Sequence, residues 1–538
     1  MKKGMLTALM LLHVGTAMAA SANESLADRI EKAFKPVSDW WSGIVFYSIP
    51  IGGLDIPVVL LLLIGGATYF TVYFGFPQFK LFGTSLKVVA GKYDDIDAHD
   101  SFKPAGDPLV DPHEDIPETI KIEGEHHGEV SHFQALSAAL SATVGLGNIA
   151  GVAVAIALGG PGATFWMIIG GLLGMASKFT ECTLGVKYRD IGPDGTVYGG
   201  PMYYLKKGLA KKGLAKLGKF LAVFFAVMVV GGSFGGGNMF QANQSTAQFM
   251  KLFQIQNGNA KVIFGIFLAL LVGIVIIGGI KRIGKVAEKI VPFMAVLYVG
   301  AALLILFMNY DVIPEAFSLI FKEAFTPRAG LGGFVGVMVM GFRRAAFSNE
   351  AGVGSAAIAH SAVKTKFPAS EGIVALLEPF IDTVLICTMT ALVLIITNTK
   401  YGLFEYGEKV QGVELTSTAF DSVLPHFSII LTIAVILFAF STMLSWSYYG
   451  LQGWKFLFGR SKKADMTYKL LFLFFIVVGA SVKLGSVLDF SDAMIFAMVF
   501  PNIIGVILLA PEVKDELKRY LQAIARKEQA EKNEHKVG

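Results

Sequence analysis

"SATVGLGNIAG", residues 141–151, places three glycines in a run, 131–177, that holds no Asp, Glu, Lys or Arg. The run is long enough for two membrane crossings of about 20 residues each, turning at Gly159-Gly160-Pro161-Gly162. Each glycine weakens a helix by roughly 1 kcal/mol relative to alanine. The stretch therefore reads as a membrane helix made to break inside the bilayer. Such a break leaves backbone N–H and C=O groups without helical partners, which hydrocarbon penalises by several kcal/mol each.

A second break matches it. "FSNEAGVGSA", residues 347–356, again sets a Gly-x-Gly among small polar residues. If the ten apolar segments after the first are taken as two sets of five, each set opens on one of these breaks. Interrupted segments at corresponding positions of two halves point to an inverted-repeat transporter with its site at the bilayer midplane. N–H groups and positive half-helix ends suit a carboxylate, while carbonyls and negative ends suit an ammonium group or Na⁺. Close packing through small residues is the alternative reading. A nucleotide-binding loop is excluded, because Gly145-Leu146-Gly147 lacks the third glycine and no strand–turn–helix surrounds it.

Composition agrees with lipid. The 538 residues are 54% hydrophobic and 16% charged, with 60 glycines, against about 25% charge in a soluble domain. The net charge of +5 comes from short basic clusters between apolar runs, a topology signal rather than a nucleic-acid footprint. Only Cys182 and Cys387 occur, so neither a disulfide framework nor a cysteine zinc site is available.

Residues 1–20 read as a signal peptide, with Lys2 and Lys3, a short apolar stretch and the small-x-small site Ala17-Met18-Ala19; an uncleaved lead-in is the alternative. Residues 21–54, with Trp40, Trp41 and Phe46, form an extracytoplasmic or interfacial segment. An extra transmembrane helix is expected at 55–79, an acidic cytoplasmic loop at 80–132 and the first five-helix repeat at 133–310. An extracytoplasmic connection follows at 311–330, the second repeat at 331–511 and a charged cytoplasmic tail at 512–538. Eleven spans result: 56–79, two within 131–177, then 219–249, 262–280, 290–309, 331–361, 372–398, 427–454, 468–482 and 493–510.

Basic residues alternate with these spans. Lys80, Lys87 and Lys92, then Lys187 to Lys216, Lys281 to Lys289, Lys364 and Lys366, Lys455 to Lys463 and the tail all fall on one side. The positive-inside rule makes that side cytoplasmic and leaves the N-terminus outside, as a signal peptide requires. Between Tyr93 and His132 stand twelve acidic residues, four prolines and five histidines. With no fixed ligand spacing among them, the segment reads as a solvated loop rather than a metal site.

Several polar residues lie at membrane depth, where such groups need partners. Asn148, just past the first break, is suited to coordinate cation or substrate, or to cap the second half-helix. Gly232 and Gly236 let backbones approach closely, and Gln241, one turn after Gly237, points toward the gap or bonds a neighbouring helix. In "STMLSW", Ser441, Thr442 and Ser445 offer hydroxyl oxygens, and Trp446 either walls a small side-chain pocket or packs. The charged residues inside spans are Glu181, Arg343, Arg344, Glu350, Glu378, Asp382 and Lys483. The first break carries no carboxylate, so a cation there is expected to be held by neutral oxygens plus the carboxylate of the substrate. That arrangement favours Na⁺ over a proton, which needs a titrating group.

"ATVGLGNIAGVAVAIALGGPGATFWM", "GMASKFTECTLGVKYR", "GGPMYYL", "FSNEAGVGSAAIAH" and "FAFSTMLSWSYYG" closely resemble the alanine/glycine:cation symporters, the sodium:alanine symporter family, across about residues 134–511. Leu146 stands where members often carry a small hydroxyl residue, and Ala357 where proline is expected. The resemblance implies a leucine-transporter-type fold: an all-α polytopic membrane protein of eleven transmembrane helices, with a five-plus-five inverted repeat and one extra N-terminal helix. It implies Na⁺-coupled uptake of small neutral amino acids such as alanine and glycine, by alternating access across the bacterial inner membrane, and no enzymatic activity. The substrate site so implied comprises Thr143, Gly145, Gly147, Asn148, Gln241, Ser348, Asn349, Gly352, Thr442 and Trp446. The expected Na⁺ ligands are Ser141, Val144, Asn148, Ser441, Thr442 and Ser445, with Na⁺ as coupling ion and no other cofactor. A non-transporting amino-acid receptor, a channel and a proton-coupled carrier using Glu350 are the alternatives.

The charge pattern places Ser101 in the cytoplasm and the mature N-terminus near residue 21. A cysteine at position 101 should resist impermeant reagents in intact cells; labelling from outside, or a mature protein that begins at Met1, would contradict this topology.

Overall fold

The structure is a computed structural model and describes residues 25–51, 54–97, 130–192, 196–278, 280–326, 333–407 and 412–537. The expected signal peptide and most of the acidic loop, including Ser101, lie outside them.

α1 (Leu26–Val45) begins where the Ser25 hydroxyl accepts the Asp28 N–H. Its expected interfacial character is qualified by its packing. Ser38 donates to the Ser486 carbonyl at 2.8 Å, and Glu31 accepts from the Lys483 N–H at 2.8 Å and the Ser486 hydroxyl at 2.6 Å. A hairpin of β1 (Ser48–Ile51) and β2 (Leu54–Pro57) leads into α2 (Val58–Tyr73).

The first repeat opens with α3 (His132–Thr143) and α4 (Gly147–Gly159), bent by 51° at the predicted break. α4 ends at Gly160, whose φ of +66° suits glycine, and Pro161 precedes α5 (Gly162–Lys187). α6 (Ala215–Leu252), α7 (Gly258–Ile276) and α8 (Ile280–Met308) complete the set. The second repeat opens with α9 (Gly333–Asn349) and α10 (Ala356–His360). It continues through α11 (Pro368–Tyr401), α12 (Phe427–Phe458), α13 (Lys462–Ser481) and α14 (Leu484–Asn533). Corresponding helices of the halves pack on each other, α5 on α11, α6 on α12 and α7 on α13, and α5 packs on α9 as well. One face of α7, with Ile263, Ile266, Phe267, Leu270 and Ile274, is uncovered; hydrocarbon accommodates such a stripe, whereas in water it would be an association patch.

Among the described residues, eight helices are long and apolar enough to cross a membrane, or nine with the bent α3–α4 pair. Every expected span coincides with helix, but two fall short of that measure. α2 has 16 residues rather than the 24 of the apolar run, because Pro57 starts it late and left-handed Phe76 follows its end. The 331–361 segment is split, because Glu350, Gly352 and Gly354 all have positive φ. The tail expected at 512–538 is not separate: helix continues through Pro511 to Val537. Ion pairs of Lys187 with Glu516 (2.9 Å) and Glu512 (3.5 Å), and the Tyr93–Glu528 hydrogen bond (2.9 Å), hold that extension.

Most intramembrane charges are paired. Asp492 of α14 is ion-paired with Arg343 (2.7 Å) and accepts a hydrogen bond from Arg344 of α9. Lys178 of α5 meets Glu378 of α11 at 2.9 Å. Glu181 accepts from Asn502 at 2.7 Å. Lys483 is corrected: it is the N-cap of α14 and so stands at a helix end, not inside a span.

Candidate functional site where two broken helices meet

At the first break the chain leaves helical geometry at Val144 and re-enters through a π-turn, Gly147–Gly151. The freed amides are met by side chains. Gly145 N–H donates to Asn148 Oδ1 at 2.8 Å, and Leu146 N–H donates to Gln241 Oε1 at 3.3 Å. Gln241 follows a second π-turn, Gly235–Met239, and its Nε2 donates to the Gly236 carbonyl there at 2.9 Å. Gln241 thus serves two irregular backbones at once.

Asn148 faces the other way as well. Its Nδ2 lies 3.1 Å from Ser348 Oγ on the second broken helix, 2.6 Å from Asp382 Oδ1 and 3.1 Å from the Asp382 carbonyl on α11, and 3.3 Å from Cys387 Sγ. Thr383 Oγ1 donates to Asp382 Oδ2 at 2.7 Å, and Asn349 Nδ2 reaches Thr383 at 2.9 Å. The expectation that a cation at the first break meets only neutral oxygens and the carboxylate of the substrate is therefore corrected: α11 carries a fully buried carboxylate to Asn148. No Lys or Arg ion pair reaches Asp382 among the described residues. The spacing Glu371, Glu378, Asp382 (i, i+7, i+11) sets three acids on one helix face; that stripe was the available signal, and only pairing across the fold gives it meaning.

The second break is shaped by Glu350, a non-glycine residue at φ +57°. Its carboxylate accepts from Trp446 Nε1 at 2.9 Å and from the Ser355 hydroxyl. Asn349 Oδ1 takes the Ala351 N–H at 2.9 Å, and Asn502 donates to the Gly352 carbonyl at 2.9 Å. Gly352 therefore belongs to the backbone of the break. On α12, Thr442 donates to the Ser141 carbonyl at 3.4 Å and Ser445 to the Ser141 hydroxyl at 3.0 Å. Ser441 turns instead to its own helix, donating to the Phe438 carbonyl at 3.1 Å, with Met294 Sδ at 3.5 Å.

Between these groups lies a narrow cleft of about 250 Å³ when the open space at its mouth is included, with enclosed room for little more than one water. Thr143, Gly147, Gln241, Ser348, Thr442 and Trp446 line it, as do Ala142, Gly236, Phe347, Glu350 and Ile495. Six predicted residues thus share one wall system. Gly145 stands beside it, where a Cβ would overlap Thr442 Oγ1. Asn148, Ser141, Val144, Asn349, Gly352, Ser441 and Ser445 are not in its lining. Trp446 fits because Gly237 has no side chain: a Cβ there would overlap the base of the indole. Phe347, Ile495, Asp382, Thr383 and the Glu350–Trp446 bond were not anticipated.

A site at the crossing of two interrupted helices, one from each half of an inverted repeat, defines a secondary transporter. A sequence model of the sodium:alanine symporter family matches residues 114–536, and the chain belongs to that family. It is 40% identical over 465 residues to the sodium/alanine symporter AgcS of Methanococcus maripaludis, covering 86% of this chain and 94% of that one. It is 37% identical over 394 residues to the probable sodium/glutamine symporter GlnT of Bacillus subtilis, covering 73% and 78%. In fold it is similar to a crystal structure of MhsT in complex with L-phenylalanine, with a TM-score of 0.50 at 16% identity, covering 74% of this chain and all of that one. The fold is thus of the leucine-transporter type, and the chain is a multi-pass membrane transporter, not an enzyme.

Proposed function

We propose that the chain is a Na⁺-coupled symporter of small neutral amino acids, alanine and glycine foremost, in the bacterial inner membrane. The observation that carries this reading is the juxtaposition of Asn148, Ser348 and Asp382 beside a small cavity closed by Trp446. The eleven apolar helical segments each cross the bilayer, with α2 and the α9–α10 segment as thinner or interrupted crossings. This places the N-terminus outside and the C-terminus in the cytoplasm. In support, α1 packs against the start of α14, whereas the chain after α2 meets its far end through Tyr93 and Glu528.

The substrate carboxylate is received at the first break, around Thr143, Gly145 and Gly147, at the positive end of the half-helix α4. The ammonium group faces Ser348 and the second break, and the side chain points to Trp446, Phe347 and Ile495. One Na⁺ sits at Ser348 and Asp382, hard oxygen groups of the kind Na⁺ takes, with Asn148 joining only if its amide flips and releases the Gly145 N–H. A second sits among Ser141, Val144, Thr442 and Ser445, with Ser441 as a ligand only after a rotamer change. Alternating access follows if one half of the repeat rocks against the other around this fixed site.

If cation and substrate share the site, each raises the affinity of the other by the same factor. Calorimetric titration of alanine should give tighter binding in Na⁺ than in K⁺ of equal ionic strength, and Asp382→Asn should shrink the difference. Equal affinities in both buffers would remove the coupling.

Selectivity is expected to reside in Trp446. Trp446→Ala should weaken alanine binding and admit larger apolar amino acids, with Trp446→Phe between. One methylene in such a pocket is worth about 1–3 kcal/mol. Losing the ring costs about 3–5 kcal/mol of stability, so folded yield is scored first. An unchanged ranking of glycine, alanine, valine and leucine in folded Trp446→Ala would place the pocket wall elsewhere.

A further inference from the structure

A chain of buried ionisable groups that takes no part in the substrate site lies between the second break and the side carrying the basic loops. His360, the last residue of α10, is fully buried. Its Nδ1 lies 2.5 Å from Glu371 Oε1, and its Nε2 lies 3.4 Å from Glu378 Oε2. The other oxygen of Glu371 is bonded by His132 Nδ1 at the start of α3. The other oxygen of Glu378 is bonded by Lys178 Nζ at 2.9 Å.

The stoichiometry of protons decides what this arrangement means. A neutral imidazole has one N–H and one lone pair, and an ionised carboxylate only accepts. A ring with a carboxylate on each nitrogen therefore cannot satisfy both as a neutral group: one side would set lone pair against lone pair in a dry interior, where an unmet polar contact is most costly. Adding one proton to the ring makes both contacts charge-assisted hydrogen bonds. The bonded group then carries Lys178 and His360 as cations against Glu371 and Glu378 as anions, with His132 needing only its one N–H to bond Glu371. Its charge balances.

We propose that His360 is a proton-binding site of this transporter: an imidazolium, bridging Glu371 and Glu378, that ties the end of the second broken helix to α11 and, through Lys178 and His132, to α5 and α3. The other ionisable groups around the chain are Glu350 on the second break and Glu181 and Cys182 on α5. Arg189 is also near Glu371, and its guanidinium donates to the carbonyls of Ser361 (2.8 Å) and Val363 (2.5 Å). These last bonds tie the end of α5 to the chain after α10, and the pairing of Val130 with Ala362 and Lys364 stitches the chain before α3 to the same segment. The bound proton lies just inside this seam, where both broken helices end. Its loss would leave one of the two carboxylates facing the ring's lone pair, so the clasp holds while the proton is bound and loosens as pH rises through the point of its release.

The test is ¹⁵N NMR of histidine-labelled full-length protein in nanodiscs at about pH 8, well above the ordinary histidine value of about 6.5. It reads ring protonation directly and needs neither substrate nor Na⁺ gradient, so its outcome is separate from that of the symport assays. Of the nine histidines, one should remain doubly protonated, and His360→Gln should abolish that signal. If His360→Gln does not fold, Glu378→Gln serves as the second variant: with one of the two anions removed, the signal should titrate away at lower pH than in wild type. Nine neutral rings at pH 8, a persistent imidazolium that survives His360→Gln, or a midpoint unmoved by Glu378→Gln would each overturn the proposal.

Discussion

The side-chain amide of Asn148 is the joint on which the rest depends. Hydrocarbon supplies no hydrogen-bond partners, so a helix interrupted at membrane depth survives only if something inside the protein meets its freed backbone groups. Asn148 Oδ1 takes one such group, the Gly145 N–H, while its Nδ2 reaches Ser348 and Asp382. The same residue holds the backbone of one broken helix, touches the other and bonds the buried Asp382 carboxylate of α11. Gln241 does the equivalent work between the first break and the π-turn of α6. The interruptions are thus supported by the parts of the molecule that form the site, and a change at the site alters the support of both helices.

The second break is supported differently. Glu350 is held in a left-handed conformation and receives Trp446 and Ser355. The indole that bounds the cavity is tied by this bond to the backbone of the broken helix. Movement of that helix during a transport cycle therefore moves the cavity wall as well. Ion pairs join the arginines of α9 to Asp492 of α14, and Lys178 of α5 to Glu378 of α11 beside it. Such pairs add little net stability but are costly to break singly, so they favour a few discrete packings over continuous deformation.

Much of this was legible in the chain before its folding was known. Uncharged runs gave the spans, the paired Gly-x-Gly stretches gave the breaks, and a polar amide at depth singled out Asn148 and Gln241. What was not legible was long-range. Asp382 lies 234 residues from Asn148 in sequence, and nothing in its local context separates a ligand from a partner of a buried lysine. Glu378, one turn away, is indeed such a partner. Nor does a run of hydrophobic residues reveal where Pro57 delays a helix, or that the tail after Pro511 stays helical because Lys187 and Tyr93 hold it. The hydroxyls of "STMLSW" were readable as a set, yet only Thr442 and Ser445 turn toward Ser141.

The central claim is that two broken helices together build one site for a cation and a small amino acid. A panel of labelled amino acids offered to proteoliposomes under an imposed inward Na⁺ gradient tests it most directly. Alanine and glycine should accumulate above their external concentration while the gradient lasts and run out when an ionophore collapses it, with bulky amino acids excluded. Equilibration without accumulation, or the same accumulation under a K⁺ gradient, would contradict the account.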